Sequence, residues 1–338
     1  MKIIVDAMGG DHAPIEIVKG SIQAAKDFNV DIFLVGNEET IIQELKKYQY
    51  PNERIHIIHA SEVITNDDSP TKAIKLKKDS SLVKGLKMLK NGEGDAFISA
   101  GNTGALLSGA LLLVGRIKGV DRPALTPVIP TDTGYSVLVD AGANTSCKPL
   151  NLLQFGIMGS AYMKKVLNTP SPRVGLVNIG TEEGKGNDLT KESHILLKKA
   201  PINFMGNIEA RDIAAGVADV LVCDGFVGNV ILKFMEGMGL TFYANIKKIF
   251  TKNIFTYLAA IIVKNGLKEF KKKMDYTEHG GAPLLGIDGV IIKSHGNSNA
   301  KAFYYAIKQA HKFIETGVIS EIKEYIHKTG EDKVASDE

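Results

Sequence analysis

The stretch VGLVNIGTEEGKGND, residues 174–188, runs from an apolar segment through a turn with glycines at 180, 184 and 186 into a helical pattern. A strand, a Gly-rich turn and a helix in succession are typical of α/β proteins, and backbone N–H groups of such turns often bind phosphate. A nucleotide-binding P-loop is excluded, because only three residues separate Gly180 from Gly184 and Gly186 stands where Ser or Thr would hold Mg²⁺. The stretch predicts an α/β fold and leaves open what the turn binds.

The same alternation continues along most of the chain. The candidate strands are nearly continuous apolar runs, which is expected when helices cover both faces of a parallel sheet. In chain order they read KIIVDA, DIFLVG, IHIIHA, DAFISA, YSVLVDA, RVGLVNIG, INFMGNI and DVLVCDG. Helix-length stretches such as PIEIVKGSIQAAKDF and NEETIIQELKKY lie between them. We therefore predict the α/β class and a three-layer α/β/α sandwich with a mostly parallel sheet.

Domain boundaries are poorly marked in this sequence. The 338 residues contain no short internal repeat and no low-complexity linker, and the length suits one large α/β unit or two lobes around a cleft. We expect a single unit over residues 1–328 that includes a helical segment at 241–276. The polar residues 329–338 are expected to form a disordered tail.

Composition narrows the classes of function. The formal charge of +3 is too small to indicate nucleic-acid binding, so we expect no nucleic acid as a partner. Cys147 and Cys223 lie far apart and outside any metal-binding spacing, which argues against a disulfide or a structural zinc and suits a reducing cytoplasm. An acidic residue at position 6 argues against a signal peptide, and the longest apolar runs are too short for a bilayer span. We expect a cytoplasmic protein that is soluble or rests on a membrane surface.

The segments that follow the candidate strands share a composition. Ligands of open α/β sheets bind at the carboxyl ends of the strands. Each segment here combines Gly with Asp, Asn or Thr, which are also the ordinary residues of turns. They read DAMGGDHAP (6–14), SAGNTGA (99–105), DAGANTSCKP (140–149), NIGTEEGKGN (178–187), GNIEARD (206–212) and CDGFVGN (223–229). A seventh stretch, KSHGNSN (293–299), follows the late apolar run GIDGVIIK. Because so many occur at equivalent sheet positions, we expect them to line one polar site.

The side chains of these segments suit an oxyanion. Lys185, Lys148, His12 and His295 could balance a small dianion. Lys185 is the strongest candidate, because glycines on both sides let it approach a ligand closely. No complete dinucleotide fingerprint, G-x-S-x-G elbow or clustered set of metal ligands occurs, so we predict no bound cofactor, no metal and no covalent serine or cysteine mechanism. Backbone donors and one or two lysines would stabilise developing negative charge.

Six of the segments, in order, closely resemble the bacterial phosphate acyltransferases of phospholipid synthesis, the PlsX family. They are VDAMGGDHAP, SAGNTGA, DAGANTSCKP, NIGTEEGKGN, DGFVGN and GIDGVIIKSHGNSNAKAF. The resemblance implies transfer of a fatty acyl group from acyl carrier protein to inorganic phosphate, which gives acyl phosphate for the first acylation of glycerol 3-phosphate. It also implies a homodimer and a fold similar to isocitrate and isopropylmalate dehydrogenases and to phosphate acetyltransferase.

The resemblance suggests what the turn at 180–187 binds. Inorganic phosphate, or the phosphate end of acyl phosphate, needs no Mg²⁺ ligand, which fits the missing Ser or Thr after Lys185. Phosphate is already a nucleophile near neutral pH, so the enzyme has to position it and stabilise the oxyanion of the attacked thioester. The leaving thiolate needs little acid help, because a thiol has a pKa of about 8.5.

Roles are predicted residue by residue from the loops and the resemblance. The residues expected to be catalytic are Lys185, His295, Asp224 and Asn229. Those expected to bind substrate or phosphate are Asp6, Gly9, Asp11, His12, Asn102, Thr103, Asp140, Asn144, Thr181, Gly184, Gly186, Asn187 and Asn297. Structural alternatives stay open, because an Asp at a strand end often caps the next turn, His12 could be a surface residue and His295 could be structural.

The segment 241–276, TFYANIKKIFTKNIFTYLAAIIVKNGLKEFKKKMDY, mixes many lysines with apolar and aromatic residues. A basic amphipathic helix pair can lie on anionic lipid, pack a dimer or recruit an acidic partner, whereas the commoner case is a solvated helix with a buried stripe. We expect an apolar face that meets membrane or a second subunit, and lysines that meet acidic groups. The residues expected on this surface are Lys247, Lys248, Phe250, Ile254, Leu258, Lys264, Lys268 and Lys271.

Two other functions compete with acyl transfer from acyl carrier protein. The first is another enzyme of the same fold, either a CoA-using phosphate acetyltransferase or an NAD(P)-dependent decarboxylating dehydrogenase. The dehydrogenase should carry an arginine cluster and several Asp for a divalent metal, and neither is visible. The second is a non-catalytic membrane scaffold that binds phospholipid enzymes through 241–276. A scaffold would not require so many Gly, Asn and Asp loops at strand ends.

Overall fold

The structure is a computed structural model that describes the backbone of residues 1–274 and 280–336 and the side chains of residues 1–269 and 280–327. Within these ranges the strands form two sheets. The strands of the first sheet are β1 (Lys2–Asp6), β2 (Asp31–Gly36), β3 (Ile55–His59), β4 (Ala96–Ser99), β5 (Ala124–Leu125), β11 (Ala282–Leu285) and β12 (Val290–Lys293). The strands of the second sheet are β6 (Val128–Thr131), β7 (Gly134–Val139), β8 (Arg173–Asn178), β9 (Asn203–Glu209) and β10 (Val220–Val222).

Helices connect most of these strands. In chain order they are α1 (Ile15–Phe28), α2 (Glu38–Leu45), α3 (Pro70–Leu76), α4 (Ser81–Lys90), α5 (Thr103–Gly109), α6 (Pro149–Lys165), α7 (Asp188–Lys199), α8 (Gly225–Phe250), α9 (Ile254–Ile262), α10 (Lys264–Met274), α11 (Ala300–Thr316) and α12 (Val318–Ser336). A π-helical turn, Ala110–Val114, continues α5. Helices α1 and α11 pack together beside the first sheet, and α6 packs on α7 and α12.

Both sheets are mostly parallel. The first has the spatial order β3-β2-β1-β4-β12-β11-β5 and the second β6-β7-β10-β8-β9. The central strands β4, β10 and β12 are buried along their whole length, as expected for strands with both faces covered. The predicted α/β class with mostly parallel strands and flanking helices is confirmed, and each predicted strand is present.

The prediction differs from the structure in the antiparallel strands. Strands β5, β6 and β11 were not expected, and they form the antiparallel pairs β11–β12, β11–β5 and β6–β7. Pro130 and Pro283 lie in β6 and β11, and proline removes a ladder donor, so neither run reads as a strand. The mostly parallel strands are divided between two sheets, and the short strands β5 and β6 form an edge of the first and of the second sheet.

One cluster of buried apolar side chains includes residues from both sheets, among them Val5 of β1, Val139 of β7 and Val220 of β10.

The predicted domain limits, 1–328 with a separate tail at 329–338, stay a prediction. Helix α12 runs to Ser336, so its end does not coincide with residue 329. The segment predicted at 241–276 is also part of a longer element, because α8 already begins at Gly225.

Candidate active site

A cavity of about 470 Å³ lies at the carboxyl ends of strands from both sheets. Segments 140–149, 223–229 and 293–299 and the start of α5 contribute its wall, and we call it the central cavity. Its polar lining residues include Thr103, Thr145, Asn229, Lys233, Glu236, Lys293, His295 and Asn297. The sequence analysis predicted four of these, namely Thr103, Asn229, His295 and Asn297, and the structure brings them together.

A second cavity, of about 580 Å³, lies beside the first and is called the outer cavity. Its wall is largely apolar and includes Leu152, Val177, Ile179, Val227, Val230 and Ile231. The predicted residues Gly186, Asn187 and Asp224 also line it. Phe226, in the first turn of α8, lines both cavities. The expectation of a single polar site is therefore wrong, because the strand ends belong to two sheets and α8 starts between the two cavities.

Asp6 supports the loops around the central cavity and does not line it. The side chain is 1% exposed and accepts hydrogen bonds from Ser99 Oγ at 2.7 Å and the Met8 backbone N–H at 3.2 Å. Burial raises the pKa of Asp6, although the hydrogen bonds to its carboxylate oppose this shift. A Cβ on Gly9 would lie 2.5 Å from Asp6 Oδ2, so the predicted Gly9 allows the loop to fold over the carboxylate.

Asp11 and His12 brace the loop at 293–299. The Asp11 backbone N–H donates to Gly296 O at 2.8 Å. His12 Nε2 and Asn297 Oδ1 are 2.5 Å apart. Because Asn297 lines the central cavity, these contacts fix one part of its wall from behind. The side chains of Asp11 and His12 are exposed, and neither is among the described residues that line the cavity.

Asp140 organises the loop after β7. Its side chain accepts hydrogen bonds from the backbone N–H groups of Leu125 at 2.9 Å, Ala143 at 3.1 Å and Asn144 at 2.7 Å. Burial raises the pKa of Asp140, against the effect of these bonds. The predicted Asn144 is tied in the same way, because its side-chain amide donates to Pro123 O at 2.7 Å. Asp140 and Asn144 therefore shape the loop.

Three predicted site residues are helix caps. Asn102 accepts from the Ala105 N–H at 2.9 Å, Asn187 from the Thr190 N–H at 3.0 Å and Asp224 from the Val227 N–H at 2.9 Å. Asp224 therefore caps the next helix, as an Asp at a strand end often does, and its catalytic role stays a prediction.

The first turn of α8 packs very tightly on the loop after β7. A Cβ on Gly228 would lie 1.9 Å from Asp140 O, and a Cβ on Gly225 would lie 2.7 Å from Asn144 O. Only glycine permits this approach, which carries Phe226 and Asn229 to the wall of the central cavity. A helix start directed at a cavity also presents the positive end of the helix dipole to a bound anion.

His295 lies on the wall of the central cavity beside a pair of opposite charges. Lys233 Nζ and Glu236 Oε2 of α8 are 3.2 Å apart and line the same wall. Desolvation lowers the pKa of His295, and the nearby Lys233 and Lys293 act in the same direction against Glu236. The imidazole is therefore mainly neutral at pH 7 and can accept or donate a hydrogen bond. The Asn297 N–H lies 3.3 Å from its Nδ1.

Lys293 is a site residue that the sequence analysis missed. It is 8% exposed, lines the central cavity and ends strand β12. Desolvation lowers its pKa to about 8. The sequence feature that could have identified it is a lysine at the end of an apolar run, directly before Ser294 and His295.

The turn at 180–187 lies at the outer cavity. Lys185, Thr181 and Gly184 are exposed, and none of them lines either cavity among the described residues. The Asn178 side-chain amide donates to Lys185 O at 3.1 Å and so holds the turn closed. The structure therefore does not bring Lys185 together with His295, and phosphate binding by this turn stays a prediction.

Neither cysteine is suited to act as a nucleophile. Cys223 is 3% exposed, and burial raises its pKa well above the ordinary value of a thiol. Burial also raises the pKa of Cys147 to about 11, with Asp140 and Asp224 adding to the shift. Because the thiolate is the reactive form, both side chains stay unreactive near neutral pH.

Comparison with known proteins gives consistent matches along the chain. The family model described as "Fatty acid synthesis protein" matches residues 1–321. The phosphate acyltransferase of Alkaliphilus oremlandii is 57% identical over 98% of this chain and 99% of its own length. The phosphate acyltransferase of Clostridioides difficile is 46% identical over 98% of both chains.

Solved structures with the same fold are more distant in sequence. A phosphotransacetylase from Streptococcus pyogenes superposes with a TM-score of 0.63 at 17% identity and covers 93% of this chain and 94% of its own. A 4-hydroxythreonine-4-phosphate dehydrogenase from Klebsiella pneumoniae gives a TM-score of 0.54 at 11% identity, over 93% of this chain and 97% of its own. These likenesses show the fold alone, and they agree with the predicted relation to dehydrogenases and phosphate acetyltransferase. The family match and the sequence identities show that the chain belongs to the fatty acid synthesis protein family, which is the family of the phosphate acyltransferases.

Proposed function

We propose that the central cavity is where this phosphate acyltransferase moves a fatty acyl group from the thioester of acyl carrier protein to inorganic phosphate. The observation that carries the proposal is the convergence of Asn229, Lys293 and His295 with the start of α8 on one cavity at the strand ends. The Lys293 cation and the N-terminus of α8 can bind an attacking phosphate. The neutral His295 imidazole and the Asn229 amide can donate hydrogen bonds to a thioester oxygen that gains negative charge. The product would be acyl phosphate, the activated acyl donor for phospholipid synthesis.

For this reaction the protein has to position the phosphate and the thioester and to stabilise the negative charge that develops on the thioester oxygen. A phosphate oxygen attacks the thioester carbonyl, the carbonyl oxygen gains negative charge, and the carbon–sulfur bond then breaks to release the carrier thiolate. Because a thiol has a pKa of about 8.5, the thiolate leaves without strong acid assistance. The unreactive Cys147 and Cys223 support direct transfer to phosphate without an acyl-cysteine intermediate.

The acyl donor is tested by comparing two thioesters. With palmitoyl-acyl carrier protein and palmitoyl-CoA at equal concentration and saturating phosphate, kcat/KM should be higher for the carrier protein. The lysine-rich surface around Lys247, Lys264 and Lys268, which are all exposed, supports this choice because acyl carrier proteins are acidic. Raised salt should weaken the carrier reaction more than the palmitoyl-CoA reaction, because the carrier presents the larger acidic surface. A preference for palmitoyl-CoA at all salt concentrations would instead favour the phosphate acetyltransferase-like alternative.

His295→Ala should lower kcat about tenfold, which is less than usual for acid–base catalysis because the thiolate leaves easily. The pKa of His295 is lowered, so its protonation belongs to the acidic side of the pH profile, below about pH 6.5. The variant should lose that acidic limb. The control is His59→Ala, at an exposed histidine ending β3. An unchanged kcat and pH profile for His295→Ala would make this residue structural.

The helical segment that follows the cavity supports a peripheral role at a membrane or a dimer surface. Its exposed apolar side chains, each between 42% and 85% exposed, are Leu240, Phe242, Tyr243, Ile249, Ile254, Phe255, Tyr257, Leu258, Ile261, Ile262 and Val263. We call this group the apolar hairpin. An exposed apolar patch of this extent marks an interaction surface. Among the described residues, no helix combines the length and apolar composition of a membrane span.

Charged side chains accompany the apolar hairpin. Lys247, Lys248, Lys264 and Lys268 are exposed, Phe250 is only partly exposed, and the side chain of Lys271 lies outside the described residues. A lysine near an anionic membrane adds about 1 kcal/mol of attraction. We therefore favour reversible contact with anionic lipid, together with a homodimer, at this segment.

Vesicle binding tests this contact. The protein should sediment with anionic vesicles and much less with neutral ones, and raised salt should release it because charge attraction fades beyond about 8–10 Å. Ile254→Glu with Leu258→Glu should weaken binding at least tenfold, since both side chains are more than half exposed at 64% and 52%. Leu76→Glu, at a leucine that is 77% exposed outside the hairpin, is the matched control and should bind normally.

Light scattering separates the two roles of the hairpin. If the double variant becomes monomeric while it still binds anionic vesicles, the hairpin is a dimer surface and the membrane proposal fails. Equal binding of the parent protein to neutral and anionic vesicles would also contradict it.

A further inference from the structure

Lys293 places a cation inside the wall of the central cavity. Its Nζ donates to Ala100 O at 3.4 Å and, more closely, to Ser294 O. An ammonium group has three N–H donors, so these two carbonyls leave one donor for another partner. The side chain is 8% exposed, and the cavity is the space that it lines.

No carboxylate of the described residues lies within ion-pair distance of this ammonium group. Asp6 and Asp11 are close enough to favour its charged form through space, but desolvation outweighs them. A buried charge without a contacting partner is costly, so buried charges in proteins are normally paired. A ligand anion in the central cavity would supply the missing partner.

We propose that Lys293 binds the attacking inorganic phosphate in the central cavity and donates its remaining N–H to a phosphate oxygen. This inference rests on the proposed acyl transfer and identifies one residue that positions its nucleophile. Lys293 then differs in role from Lys185, because the first is fixed inside the cavity wall and the second is on an exposed turn. The phosphodiester of the carrier's pantetheine arm has related chemistry, and the experiment distinguishes the two sources.

The inference also predicts a pH dependence. The charged or titratable groups around Lys293 are Asp6 on β1, Asp11 on the following loop, Lys233 and Glu236 on α8, and His295 on its own loop. Because the pKa of Lys293 is lowered to about 8, the cation predominates below that pH and is progressively lost as the pH rises above it. The KM for phosphate should therefore rise above about pH 8.

The direct test compares Lys293→Met, which keeps an unbranched side chain one atom shorter and removes its charge, with the parent. The KM for inorganic phosphate should rise about ten- to a hundredfold, as expected for a lost charged hydrogen bond, and the KM for acyl-acyl carrier protein should not change. Lys90→Met is the control, because Lys90 also donates to a backbone carbonyl, Val114 O at 2.8 Å, but lies outside both cavities. An unchanged phosphate KM would overturn the inference. A raised KM for the carrier alone would do so too, and would assign the contact to pantetheine.

Two further measurements keep the test decisive. Lys293→Arg retains a cation at all accessible pH values, so the alkaline rise in phosphate KM should disappear in this variant; its persistence would contradict the inference even if Lys293→Met does not fold. Calorimetric titration with inorganic phosphate alone should show weaker binding to Lys293→Met than to the parent. Because titration needs no acyl transfer, phosphate binding through Lys293 in a protein that transfers nothing would reject the proposed function and keep the site.

Discussion

Gly228→Ala is expected to lower acyl phosphate formation at least a hundredfold. The added methyl group would lie 1.9 Å from Asp140 O, a distance that no side-chain movement can relieve because the contact is with backbone. The first turn of α8 must therefore move, and it carries Phe226 and Asn229 on the cavity wall. A displacement of about 1 Å at a reacting site can cost about a hundredfold in rate, and overpacking also costs about 1–3 kcal/mol of stability.

The matched control lies in the same helix. Gly237 is exposed, and apart from its own helix no heavy atom of the described residues lies within 4 Å of the Cβ that alanine would add. Gly237→Ala should keep full activity and gain up to about 1 kcal/mol of stability, because alanine favours the helix. Denaturant unfolding and the rate of acyl phosphate formation measure both effects. A Gly228→Ala variant with the activity and stability of the parent would show that the close contact is dispensable.

If the turn at 180–187 contacts phosphate, as the sequence predicts, Lys185→Ala should lower the use of phosphate about ten- to a hundredfold through loss of a charged contact to the dianion. The side chain is exposed and no described acidic group pairs with it, so the free energy of unfolding should not change. An unchanged free energy of unfolding would show that a loss of activity in this variant is not caused by misfolding. Lys191→Ala, at an exposed lysine in the following helix α7, is the control.

The dependence of rate on phosphate concentration decides the role of Lys185. If the folded variant keeps the phosphate dependence and rate of the parent, the assignment of this turn to phosphate is wrong. The double variant with Lys293→Met adds a second criterion. Two lysines that contact the same phosphate should give non-additive effects, whereas lysines at separate sites should give additive ones.

The fold was largely predictable because its central strands are apolar on both faces. Strand β10 is an example, since its sequence VLV is buried throughout and reads as a covered strand. The division into two sheets was not predictable, because it depends on pairing between distant segments. Strand β12 pairs with β4, from the other part of the chain, and the two-residue strand β5 closes the first sheet. No local pattern specifies such partners.

The site was predictable in its location and only partly in its residues. Loops at strand ends indicated His295 and Asn229, and the structure places both on the wall of the central cavity. Asp6 and Asp140 look equally suitable in the sequence, but their carboxylates are used by neighbouring donors inside the loops. Lys293 was missed because a lysine at the end of a strand normally reaches solvent. Only the packing of the loop after β4, which brings Ala100 O to its ammonium group, reveals that it is buried.

The most direct measurement follows phosphate itself. The protein is incubated with palmitoyl-acyl carrier protein and isotopically labelled inorganic phosphate, and both the labelled acyl phosphate and the released carrier thiol are quantified. Direct transfer predicts one labelled acyl phosphate for each thiol released, with no metal or cofactor added. Thiol release without labelled acyl phosphate would show hydrolysis instead of transfer, and the absence of both products would contradict acyl transfer by this chain.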